Sequence, residues 1–123
     1  MTTFAIVQNL SRLIEKPARI RVCDSFVCRL RGLMFRPDLP RDEGLLLVGE
    51  RDARLDSAIH MLFVPFDLAV FWISSGMEVV DKVLARAWRP AYISSRPARY
   101  VLEVHPSQYA AYEVGNQVRI INV

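Results

Sequence analysis

Lysine is almost missing from this chain. Of 16 basic residues in 123, only Lys16 and Lys82 are lysine, and the rest are arginine. Arginine is the better bidentate partner for carboxylate and phosphate, although codon bias explains the excess more simply. The arginines are spread along the chain among 13 acidic residues, for a net charge of +3. No coherent basic face is legible, so no nucleic-acid partner is expected. Long apolar runs are also missing. The best, residues 57–73, is broken by His60, Pro65 and Asp67 and falls short of the ~20 residues of a membrane span. No membrane partner is therefore expected. The first ten residues carry no basic start and no long apolar core, so a secretory signal is not read there and a cytoplasmic location is expected.

Cysteine is scarce too. Cys23 and Cys28 fit neither the C-x-x-C redox spacing nor a zinc knuckle. In a reducing cytosol they are expected as buried thiols. A metal set drawn from Cys23, Cys28, His60 and His105 has no support in spacing, so no metal and no cofactor are expected. There is no G-x-S-x-G elbow and no cysteine-protease signature. Repeats, linkers and low-complexity stretches are absent, and one domain over residues 1–123 is expected, with 1–17 as a loosely packed N-terminal extension.

What is present reads as many short strands punctuated by Pro and Gly. Phe4–Val7 is either a short strand or an ordered tail. Residues 18–23 alternate as a strand. Asp24 and Ser25 suit an N-cap, and Phe26, Leu30, Leu33 and Met34 repeat at helical spacing, giving about two turns that end near Gly32. Further strands are expected at 45–48, 58–62, 66–73, 77–85, 100–104 and 117–123, with a charged turn or hairpin at 49–56 and a short helix at 107–112. Strands 66–73 and 77–85 form a hairpin about Ser74-Ser75-Gly76. The fold class is mainly β with minor α: an antiparallel sandwich or distorted barrel with two short helices.

Several of these stretches occur together in an order that resembles the DUF192 family (the COG1430 group). They are Arg31-Gly32-Leu33-Met34-Phe35-Arg36, Ile59-His60-Met61 through Asp67 and Phe71, Trp88-Arg89-Pro90, Val101-Leu102-Glu103 and the Gly115-Asn116 turn. The resemblance covers most of the chain from about Ala18 onward and implies one compact, mostly β domain. It implies no reaction, because the family is functionally undefined. Ile73-Ser74-Ser75 replaces a commonly acidic turn, Asn116 a common aspartate, and Pro106-Ser107 a small-residue pair.

Burying an ionisable group is costly unless it is paired, so the polar residues inside apolar strands are the site candidates. His60 is a candidate general base, with Asp67 or Glu103 as its carboxylate partner. Asp67 also suits a turn-capping role. Arg31 is read either as an anion-binding group with Arg36 or as the ion-pair partner of Asp67 or Glu103. Trp88 and Arg89, in a Pro-bounded loop, are candidate ligand contacts. The reading that follows is a binding module for a small anionic or sugar-like ligand or a protein partner. The alternative is an acid–base enzyme using His60 with Asp67 or Glu103.

Overall fold

In the computed structural model, residues 3–14 and 16–123 are described. Seven strands form one sheet: β1 (Phe4–Asn9), β2 (Arg19–Cys23), β3 (Glu43–Ala53), β4 (Leu68–Ile73), β5 (Val79–Ala85), β6 (Ala98–Val104) and β7 (Val118–Asn122). Their order across the sheet is β5-β4-β6-β3-β2-β1-β7. Only β2 and β3 run parallel; the other neighbours are antiparallel. The sheet curls until its two edges meet. Glu78 bridges Gln117, and Val79 N–H donates to Asn116 O at 2.9 Å while Gly115 N–H donates to Val79 O at 2.8 Å. The result is a half-barrel, the distorted-barrel member of the expected class.

The apolar run of β4 reflects a sheet covered on both faces. Its six residues are all buried, on both faces. Ala69, Phe71 and Ile73 join Val7, Ile20, Leu46, Leu102, Val104 and Val118 in a core to which all seven strands contribute. This is the concave side. Leu68, Val70 and Trp72 point the other way, into a second core closed by Leu33, Leu39, Ile59, Met61 and Val64 from the connecting segments. A strand buried on both faces reads as a continuous apolar run rather than an alternating one.

Helix α1 (Phe26–Arg31) forms where expected. Ser25 caps it by accepting from Cys28 N–H, and Gly32 ends it with φ +50°, a left-handed value suited to glycine. A 3-10 helix follows at Pro106–Ala111. Immediately after it, the Tyr112 hydroxyl donates to Val7 O at 2.5 Å and ties this end to β1. Burial pushes that phenol well above its usual range.

Three expectations are corrected. Residues 58–62 are not a strand: Ile59 makes a single bridge to Tyr92 and the segment then turns, Val64 N–H donating to Met61 O. It crosses the outer face of the sheet instead of joining its edge. Part of the expected turn at 49–56 continues β3 as far as Ala53. Residues 4–9 are no loose extension, because β1 lies inside the sheet between β2 and β7 with Ala5 and Val7 buried. The rest of the expected extension, residues 1–17, falls partly on residues 1, 2 and 15, outside the described residues.

Candidate functional site

The outer core is not completely closed. A cavity of about 480 Å³ opens between α1, the far end of β3 and the 55–64 segment. That volume is in the range of small-ligand pockets. Its wall includes Arg31, His60, Met34, Met61 and, on the sheet side, Glu103.

Glu103 reaches this wall because β6 alternates. Val101 and Glu103 share a face, and Glu103 lies opposite Leu45 on β3 and Val70 on β4, both buried. The residue is 4% exposed. No described basic group forms a salt bridge with it. Burial, which penalises the charged form, raises its pKa from 4.5 to about 7. Gly32 sits over the carboxylate: a Cβ there would lie 3.9 Å from Oε1.

His60 holds the opposite wall. Its Nε2 is 3.0 Å from the Leu30 carbonyl oxygen, so Nε2 carries the proton and donates. The other ring nitrogen, Nδ1, is buried with no hydrogen-bond partner among the described residues. An unpaired buried acceptor costs ~1–3 kcal/mol. The bond to Leu30 matters for α1, which has no buried residue of its own. Phe26 and Leu30 remain 70% and 56% exposed and form part of the cavity rim.

The helix is also clipped covalently. Cys23 and Cys28 form a disulfide with Cα atoms 5.5 Å apart, which overturns the expectation of two thiols. The reason is local: the tight turn at Asp24-Ser25 folds α1 back on the end of β2, which spacing alone does not show.

The other candidates lie elsewhere. Asp67 does not meet His60. Its Oδ1 accepts from Ala87 N–H at 2.9 Å and its Oδ2 pairs with Arg86 at 3.2 Å, so it staples the start of β4 to the end of β5. Arg31 pairs with neither Asp67 nor Glu103; it is exposed at the cavity rim. Trp88 and Arg89 do not line the cavity. Trp88 belongs instead to an exposed aromatic group that residue-by-residue reading missed. Phe35 and Phe63 stack with centroids 5.0 Å apart, and Trp88 meets Phe63 edge-on at 5.5 Å. All three have left-handed φ, at +65°, +61° and +67°. Bulky residues are strained there by roughly 1 kcal/mol or more each. No sequence signal marks that backbone state.

By its fold the chain is a mostly β half-barrel with two short helices. The chain belongs to the DUF192 family (Uncharacterized ACR, COG1430), whose model matches residues 7–120. A UPF0127 protein of Thermococcus sibiricus is 33% identical over 81% of this chain and 64% of its own length, so this chain spans less than two thirds of that relative. A UPF0127 protein of Pyrococcus furiosus is 35% identical over 77% of this chain and 78% of its own. A solved structure of a protein of unknown function from Novosphingobium aromaticivorans superposes with a TM-score of 0.81 at 17% identity, covering 96% of this chain and 84% of that one. A second, from Sinorhizobium meliloti, gives 0.82 at 16%, covering 98% and 94%. These two establish the fold alone. No helix among the described residues is long and apolar enough to cross a membrane.

Proposed function

We propose that this chain is a binding module for a small hydroxylated ligand held in the cavity between α1 and the sheet. One observation carries the reading: Glu103, buried and without a cationic partner among the described residues, forms part of the cavity wall. A buried carboxyl is stabilised when it exchanges hydrogen bonds, and a polyol or sugar supplies donors and acceptors together. Arg31, exposed at the rim, meets an anionic substituent of that ligand. The apolar wall from Met34, Met61 and Leu68 covers the ligand's carbon face.

A second reading is acid–base catalysis by Glu103 with His60. It is favoured by their sharing one cavity and by the raised pKa of Glu103, near neutrality. Asp67 is left out of both readings, since Arg86 and Ala87 N–H already engage it.

The test is thermal denaturation and calorimetric titration against a panel of sugars, sugar acids and polyols. A saturable rise in melting temperature that Glu103→Ala abolishes supports binding. No rise with any member of the panel removes the proposal, and turnover of a member favours the enzyme.

A further inference from the structure

Between α1, the loop that follows it, β2 and the start of β3 lies a second depression of about 620 Å³. Four arginines line it: Arg19 and Arg21 from β2, Arg31 from the end of α1, and Arg36 from the loop that follows. The spacing places them. Arg19 and Arg21 are two apart on a strand and share a face, while α1 folds back over β2 and brings the other two across from them. One carboxylate, Glu43, also lines the depression. It forms no salt bridge with any of the four among the described residues, nor do their guanidinium groups make any hydrogen bond there. Arg19 is held over the Phe4 ring, its guanidinium carbon 3.9 Å from the centroid. Arg21 and Arg36 are half-buried.

Among the described residues, four arginines against one carboxylate leave an excess of positive charge around one concave surface, and those charges repel one another in the folded state. They focus a positive potential into the depression. Each guanidinium offers about five N–H donors in a planar fork matched to tetrahedral oxyanions. A single carboxylate ligand has too few oxygens to engage four forks; adjacent phosphoryl groups have enough.

We propose that this depression is a second binding site, taking a ligand through a phosphoryl group or a linked pair of them. The argument rests on Arg19, Arg21 and Arg36, which do not line the first cavity; Arg31 lies between the two and lines both. Two sources supply the same chemistry: a free phosphorylated compound, or the headgroups of an anionic phospholipid. Arginine stays charged at any working pH, so affinity follows the ionisation of the ligand and falls with added salt.

The probe is inorganic pyrophosphate, titrated into the full chain by calorimetry and followed by melting temperature at constant ionic strength. The expected result is saturable binding and a rise in melting temperature. The Arg21→Gln/Arg36→Gln double variant, checked as folded by circular dichroism, is expected to bind at least about tenfold more weakly, in keeping with the loss of charge-assisted hydrogen bonds. Neither residue lines the first cavity, so the two proposals fail separately. No saturable binding, an equal effect from chloride at the same ionic strength, or unchanged affinity in the double variant overturns the site. Sedimentation with phosphatidylcholine vesicles containing phosphatidylglycerol, reversed by pyrophosphate, assigns the source to lipid headgroups. Pyrophosphate binding without sedimentation assigns it to a free phosphorylated compound.

Discussion

His60 donates from Nε2 to the carbonyl oxygen of Leu30 at 3.0 Å, across 30 residues of chain. Through that bond the 55–64 segment holds the last turn of α1, a helix with no buried residue. The helix in turn forms a wall of both depressions. Its placement rests on a few contacts: this bond, the Cys23–Cys28 disulfide, and Arg29 donating to Val48 O at 2.8 Å.

Replacing His60 by Ala removes the bond to Leu30 and also removes an unpaired buried nitrogen. The two effects oppose, so global stability is expected to change by less than ~1 kcal/mol. Amide exchange in α1, by contrast, is expected to quicken several-fold, because the local tie is lost. Hydrogen exchange resolved by residue checks this, and unchanged protection in α1 would refute it.

Reducing the disulfide, or Cys28→Ser, is expected to lower stability by about 2 kcal/mol on the loop-entropy argument for so short a loop. The damage should be concentrated in α1. Denaturant midpoints with and without a dithiol measure the loss, which must vanish in the Cys28→Ser variant.

Glu103 sets a pH dependence opposite to that of most carboxylates. Folded, it keeps its proton up to about pH 7; its ordinary value is 4.5. Below the lower value both states are protonated and the group contributes nothing. Between the two the folded state holds more protons, so rising pH favours unfolding. Above the upper value the penalty is complete, at about 3 kcal/mol. Glu103→Gln keeps the shape without the charge. Its stability relative to the native chain is expected to climb by that amount between pH 4.5 and 7, as read from urea denaturation. A constant difference across the range would contradict the assignment.

Gly44 leaves no room for a side chain. A Cβ there would lie 2.7 Å from the Glu103 carbonyl oxygen and 2.9 Å from Ile20 Cγ2. Both belong to paired strands flanking Gly44 in β3, so neither yields without shifting the sheet. Gly44→Ala is expected to cost at least about 2 kcal/mol, measured as a fall in melting temperature. A variant as stable as the native chain would show that the sheet relaxes there.

Much of the local structure was legible in the residues. The helix at 26–31 follows from its spacing, the Ser25 cap and Gly32. The hairpin of β4 and β5 follows from two apolar runs about Ser74-Ser75-Gly76. Residues 58–62 misled because an apolar run packed over a sheet face looks like one packed within a sheet. The candidate site was half legible. His60 and Glu103 stand out as polar residues in apolar surroundings, and they do share a cavity. Asp67 stands out for the same reason, yet its partners are Arg86 and Ala87 across a strand pair.

By itself, then, the sequence determined the strand-rich class, the family, the capped helix and the short list of polar residues that need partners. These depend on neighbours a few positions away and on simple periodicity. Tertiary structure alone decided which partners they received. The parallel pairing of β2 with β3, the folding of α1 back across β2 and the curl that joins β5 to β7 bring together residues far apart in the chain. They leave Glu103 beside a cavity with no counterion among the described residues and gather Arg19, Arg21, Arg31 and Arg36 around another, because charge and burial are set by three-dimensional proximity.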